Sequence, residues 1–466
     1  MKYPNWNYEA GHKGSASALP KYALVARGVS DVQAAIRFAN EHGVQVSVKS
    51  TGHSYTGRST AAGTMLVYVH FMRDIQWHQA FTDGCSDSGS MPAVTTQPGI
   101  DWGTLYPEVD RRGFVVVGGG GDTVGTAGGY VLGGGHSALS RSLGLASDNV
   151  LSIDIVVANG SLVTASACRS PELFWALRGG GGGTYGVVVS VTHRLHANPR
   201  NGFVGLKASY PMSGGNVSAW LNAFMRAQPE LPSSWGCYIS CIPGVAVFAK
   251  HASWTLNCLH YGVTNVTAAE ASLAPIKSAF DAHPASHAMW SVSAYASFWA
   301  WKRGDQGGDT SGVAAVLTSR ILPPSSFATE AVPPLAASLL GAVLSGLNIQ
   351  VVLLLGGAAG GKHDNSVSEW MRGGLWHVVA ASGWLPIEPD VVQRYIIGRV
   401  RNYGDELRRL VPHSGAYLNE NDWAEPRWED SFFGGNYARL LAIKRRVDPA
   451  DMFRCRHCVG SEGTGF

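Results

Sequence analysis

Glycine is bunched in this chain, and the bunching limits its possible folds more than any other feature. Runs fall at residues 118–121, 133–135, 179–183 and 356–361, each between apolar stretches. Clustered glycine in that setting means loops that hug a ligand or another backbone, not a flexible linker. A further glycine-flanked loop carries a histidine. It runs Lys49-Ser50-Thr51-Gly52-His53-Ser54-Tyr55-Thr56-Gly57 and follows a short β run at residues 44–48. A histidine fixed there presents a ring nitrogen to whatever the loop wraps. Read alone, the segment is a tight loop with an exposed His.

Length and composition narrow the setting. A chain of 466 residues exceeds one ordinary core, so two domains are expected. Hydrophobic residues make up 45% and charged residues 15%, which fits a globular chain and excludes a disordered one. The net charge of +3 is too small for a nucleic-acid footprint. The most apolar stretch, residues 349–355, is strand-sized and does not reach a membrane span. The expected partner is a small-molecule substrate, without nucleic acid or membrane, and the chain is expected to be a monomer. No apolar h-region follows Met1, so no signal peptide is visible. The sequons at Asn216 and Asn265 are no more than chance predicts for this length.

The seven cysteines do not read as a disulfide framework. Cys237 and Cys241 in an extended segment would lie roughly 13 Å apart, too far to bond. Cys455-Arg456-His457-Cys458 has metal-like spacing, but no second Cys pair completes four ligands, so no metal is expected.

Residues 30–43 read as a helix. Ser30 and Gln33 suggest a capping box, Val32, Ala35, Ile36 and Ala39 form one apolar face, and Gly43 is the stop. His53 therefore follows a β-α-β start. Residues 101–112 read as a second helix. Asn159-Gly160 joins two strand-like runs as a hairpin, and Ser170-Pro171 opens a helix that Gly179 ends. Beyond residue 199 the glycine motifs stop. Strand-like runs at 236–242, 313–321 and 350–355 alternate with helical runs at 217–228, 268–282 and 391–409. That pattern suits a sheet covered by helices on one side.

Gly181-x-Gly183-x-x-Gly186 fits the dinucleotide expression, but a helix precedes it and a strand follows, the reverse of the Rossmann order. NAD binding is excluded on that ground. Backbone N–H groups at 118–121 and 133–135 instead suit nests for a pyrophosphate, with no lysine or magnesium needed. His136 reads most simply as a hydrogen-bonded structural residue, and Tyr130 and Trp175 as core. Asp148 and Asn149 read as a cap or turn.

Four ordered blocks resemble the berberine-bridge-enzyme-like group of FAD-linked oxidases, in the vanillyl-alcohol-oxidase superfamily, and its fungal-type branch most. They are Lys49 to Gly57, Thr123 to His136, Leu173 to Gly180 and Phe433 to Leu440 continuing to Lys444 and Asp448-Pro449. The resemblance implies an α+β, two-domain PCMH-type fold. The FAD-binding domain spans 1–198, the substrate domain 199–410, and 411–466 returns to the FAD domain. It implies secretion, as for many relatives.

The resemblance further implies FAD bonded covalently through His53. Lys49, Ser50, Thr51, Gly52, Ser54 and Gly57 lie around it. Gly118, Gly121, Thr123, Val124, Gly125 and Gly128 form a second group. Gly133, Gly134, His136, Val156 and Asn436 complete the cofactor site. Relatives with two flavin links carry a Cys where this chain has Gly121, so one link is expected, which counts against a carbohydrate oxidase. Val124 stands at the family's oxygen gate, where valine goes with oxidases. The implied reaction moves a hydride from a C–H beside O or N to the flavin, and O2 reoxidises it to give H2O2. A dehydrogenase with another acceptor, an oligosaccharide oxidase and a flavin protein without turnover remain alternatives. Tyr417 and Asn419 match the family's Y-x-N motif. Tyr417, Glu420 and His377 are the candidate bases, and Asn436 is expected to meet Tyr417. Each base also has a plain reading: Tyr417 as a packing aromatic, Glu420 as a surface carboxylate, His377 as a core histidine.

Overall fold

A computed structural model describes residues 19–84, 89–199, 202–213, 215–243, 252–304, 314–353, 355–385 and 388–462. The described N-terminal part holds two larger sheets and a two-stranded one, Phe114–Val115 with His196–Ala197. Strands Tyr22–Val25, Met65–Tyr68 and Val46–Lys49 form a parallel three-stranded sheet, backed by helix Val29–Glu41. An antiparallel five-stranded sheet follows in the order Ile75–Phe81, Met91–Thr96, Val187–Arg194, Val150–Val156, Leu162–Ser166. Parallel pairing at the start requires a crossover, and the amphipathic helix provides it, burying Val32, Ala35, Ile36 and Ala39.

The helix begins earlier than Ser30. Gly28 is the cap, and the Asp31 carboxylate accepts from the N–H groups of Arg27 and Gly28, while Gln33 Nε2 donates to the Gly160 carbonyl. The Ser30–Gln33 capping box is therefore not formed.

The second part is a seven-stranded antiparallel sheet. Its order is Met289–Tyr295, Phe203–Pro211, Ser253–Tyr261, Trp235–Cys241, Asn348–Leu353, Trp376–Trp384, Ala314–Leu322. Helices Val217–Ala227, Ala274–Ala282, Val332–Leu344 and Asp390–Leu410 cover one face. The helical run at 268–282 is two helices, Val266–Ala271 and Ala274–Ala282, because Pro275 lacks the N–H that continuation needs. Strand alternation decides which residues meet the helices. Trp376, Val378 and Ala380 enter that core, so His377 faces the other way.

The cysteines correct the sequence reading. Cys237 and Cys258 are paired partners on adjacent antiparallel strands, with Cα atoms 4.0 Å apart, and they form a disulfide. Cys455 and Cys458 form another across a tight turn, and Cys168 is also disulfide-bonded. Cross-strand register brings together residues 21 positions apart, which spacing along the chain does not reveal.

The C-terminal segment packs on the N-terminal part. Val46 N donates to Met452 O, and buried Lys444 donates to the Thr184 and Phe453 carbonyls and to Asp448 Oδ2 at 2.6 Å. Among the described residues no helix is long and apolar enough to cross a membrane.

Candidate active site

Two loops form a cradle lined by backbone donors. His53, exposed on its loop, places Nε2 2.7 Å from Thr123 Oγ1, and Gly125 N donates to Thr51 Oγ1 at 3.1 Å. A Cβ on Gly128 would lie 2.9 Å from Ser50 Oγ. These contacts join residues 50–53 to residues 123–128. Gly52 has φ +92°, and a Cβ there would meet the Lys49 side chain at 2.7 Å, so only glycine makes this turn. Lys49 itself lies over the Tyr68 ring, 5.6 Å from its centroid, and burial lowers its pKa.

The hydrogen bonds among the described residues use none of the N–H groups of Gly52, Ser54, Gly57 or Gly118 to Gly121. Unengaged peptide N–H groups on two apposed loops suit an anion such as a pyrophosphate. A Cβ on Gly129 would meet nothing within 4 Å, so the cradle opens there. These residues fit FAD without a cationic side chain.

The nest expected at 133–135 is not available. Gly133 N donates to Gly129 O, Gly134 N to Val131 O, and Gly135 N to Tyr417 Oη. Gly133 is required for a different reason: a Cβ there would meet the Asn419 amide at 2.5 Å. Gly118 likewise makes room for Trp102 and Tyr106. The Val156 side chain is fully buried in the core with Val187 and Val189.

A compact polar cluster adjoins this loop. Asn419 Nδ2 donates to Gly129 O at 3.0 Å and to Tyr417 Oη at 2.8 Å. Glu420 N donates to Tyr417 O, a turn that sets the two side chains side by side. His136 Nε2 lies 3.1 Å from Glu420 Oε1, and His377 Nδ1 lies 3.4 Å from Glu420 Oε2. The Tyr417 ring centroid is 5.4 Å from that of His136 and 5.6 Å from that of His377. Three distant segments thus converge: the loop after the glycine run, the sheet face away from the helices, and the C-terminal return. The Glu420 side chain keeps 25% of its surface, whereas His377 is 1% exposed.

The electrostatics separate the three candidate bases. Burial pushes the Tyr417 pKa well up, and Glu420 adds to the rise; the bonds from Asn419 and Gly135 offset only part of it. Tyr417 is a held hydroxyl, poorly placed to accept a proton. Burial pushes Glu420 up, but the His136 and His377 charges and the His136 hydrogen bond outweigh it, leaving a pKa of about 2. Burial holds His377 down at about 4, with Glu420 opposing and His136 adding to the drop.

The structure brings His136, His377, Tyr417 and Glu420 together and leaves Asn436 apart. Asn436 Nδ2 donates to the Ser366 and Val367 carbonyls, and no hydrogen bond among the described residues joins it to Tyr417. His136 belongs with the reactive groups, where sequence reading grouped it with cofactor contacts. Its carbonyl accepts from Tyr130 Oη at 2.8 Å. Tyr238 was missed. Its hydroxyl lies 3.3 Å from where a Cβ on Gly120 would stand, so it overhangs the cradle. Alternation between buried Cys237 and Ile239 was the available signal. Asp148 is more than a turn residue. It accepts from Arg372 at 2.6 and 2.8 Å and from Asn365 at 2.7 Å, which clamps the segment beyond His136 to the strap at 365–372.

The fold and this site define an FAD-binding oxidoreductase. Residues 20–166 match the family described as FAD binding domain, and residues 416–460 match berberine and berberine like. The chain belongs to the berberine-bridge-enzyme-like, VAO-type group of FAD-linked oxidoreductases. It is 30% identical to the FAD-linked oxidoreductase ffsJ of Aspergillus flavipes, over 97% of this chain and 77% of that one. It is 34% identical to an uncharacterized FAD-linked oxidoreductase of Arthroderma benhamiae, over 95% of this chain and 78% of that one. Its structure is similar to the VAO-type flavoprotein MtVAO713 from Myceliophthora thermophila C1. That match has a TM-score of 0.88 at 26% identity and covers 99% of this chain and 85% of that one.

Proposed function

We propose that this chain is an oxidase acting on a small organic substrate with a C–H beside oxygen or nitrogen. It attaches FAD covalently at His53 and uses dioxygen as the final acceptor, releasing peroxide. The observation that carries this reading is the Glu420 carboxylate set between His136 and His377, beside Tyr417 and next to the cofactor loop. Bound FAD supplies the two-electron acceptor for the hydride. The chain's own part is to take the substrate's O–H or N–H proton. Glu420 is the acceptor: its carboxylate is the one partly exposed group of the cluster, and its oxygens lie toward both imidazoles. His377, buried behind it, receives or shares that proton at Nδ1. Tyr417 Oη, held by Gly135 N and Asn419, orients the substrate oxygen or nitrogen. Positioned proton transfer of this kind contributes about 10²–10⁴-fold.

Screening alcohols, sugars and alkaloids for peroxide release tests the oxidase reading. Release of reduced dye but no peroxide would favour a dehydrogenase. With a substrate in hand, Glu420→Gln removes the charge and keeps the shape. Flavin reduction in stopped flow is expected to slow by roughly 10²–10⁴-fold. A rate within a few-fold of wild type would clear Glu420 of this role.

A further inference from the structure

The cluster has a second property that proton transfer does not require. His136, His377 and Glu420 each offer one ligand atom, and the three atoms lie within 4.8 Å of one another. The His136–Glu420 and His377–Glu420 separations are 3.1 and 3.4 Å. Those two separations reach different oxygens, Oε1 and Oε2, and ligands at about 2.0–2.2 Å from a tetrahedral zinc stand about 3.3–3.6 Å apart, so the widest pair of the set, at most 4.8 Å, closes by no more than about 1.5 Å on binding. The ligand set, two imidazoles and a carboxylate, is that of a three-ligand zinc site with a fourth position open. Both rings are buried, at 8% and 1% exposure. Among the described residues, His136 Nδ1 and both nitrogens of His377 lack hydrogen-bond partners. Buried ring nitrogens without partners are costly, and a cation would satisfy His377 Nδ1, the one of the three that faces Glu420.

We infer that His136, His377 and Glu420 form a site for a divalent cation, with Zn2+ the best-matched ion. The open fourth position lies on the exposed side of Glu420. A cation there occupies the lone pairs that would otherwise take the substrate proton, so zinc blocks the reductive half-reaction. That effect, though not the binding, rests on the function proposed above. Among the described residues, no carboxylate or carbonyl orients His136 Nδ1 or His377 Nε2. Such partners are worth about 10–100-fold in affinity, so binding is weaker than at a structural zinc site by about that factor.

The test uses the holoenzyme stripped with EDTA and titrated with zinc chloride, with bound metal read by equilibrium dialysis. One zinc per chain is expected. Glu420→Gln and His377→Ala should each weaken it at least tenfold, with flavin content and circular dichroism unchanged. His363→Ala, outside the cluster, should leave it unchanged. Flavin reduction should slow as zinc binds and recover with EDTA. No stoichiometric zinc, or an affinity that moves less than threefold in both cluster variants, overturns the site. Zinc lost in both variants but without effect on reduction would keep the site and overturn the block, and with it the proton-acceptor reading.

Discussion

Under the proposed function, His53 and Val124 would each decide one property of the flavin. The Lys49 to Gly57 motif was readable through the family resemblance, and its turn at Gly52, with φ +92°, favours glycine. Acid-precipitated protein should stay yellow, and a digest should give one flavinyl peptide containing His53. His53→Ala should keep the fold and release its FAD on acid precipitation. A His53→Ala protein that stays yellow would remove the assignment. Val124 Cγ2 lies 3.1 Å from where a Cβ on Gly121 would stand, so this corner of the cradle has little slack. One more methylene in so dense a place closes a small channel. Val124→Leu is expected to slow reoxidation by oxygen at least tenfold and leave reduction by substrate alone. Equal oxygen rates in the two proteins would withdraw the gate. Asn436 was misplaced for a plain reason. Its motif lies next to the Tyr417 loop in the chain, but its amide is spent on carbonyls 366 and 367.

Periodicity read the elements well where one face is buried. The alternation around His377 places it opposite Trp376 and Val378, and the Asn159-Gly160 hairpin sits where it was read, between Val150–Val156 and Leu162–Ser166. Periodicity says nothing about which strand lies beside which, and the disulfides depend on that. Cys237 and Cys258 join two central strands of the seven-stranded sheet. Cross-linking residues 21 apart restricts the unfolded chain. Cys237→Ser paired with Cys258→Ser is expected to lower stability by roughly 2–4 kcal/mol, read as a shift in the urea midpoint. A midpoint equal to wild type would show that the bond adds no stability.

Across the whole molecule, burial of neutral histidines makes the fold acid-sensitive. Burial lowers His193 to about 3. Burial, then Arg194, lowers His196 to about 4. Burial, then Arg58 and Arg456, lowers His457 to about 3. Each binds a proton more readily once unfolded, where the pKa is about 6.5. Stability therefore rises with pH between the folded and unfolded values and is lost as pH falls from about 6.5 towards 3. The thermal midpoint should drop steadily over that range, and His457→Gln should flatten the slope. A midpoint level from pH 7 to 4 would contradict this. His193 and His196 stand three residues apart and His457 lies in the C-terminal segment, and their burial was not readable from composition. The same division holds for the site. Local patterns located the His53 loop, the glycine cradle at 118–121 and the inverted context of Gly181 to Gly186, because turns, caps and alternation are settled by neighbours in the chain, and the family resemblance located the Tyr417 block. The nest at 133–135, the strand register and the meeting of His136, His377 and Glu420 are long-range. They follow from which backbone groups are already spent and which faces close on each other, and only the packed chain decides that.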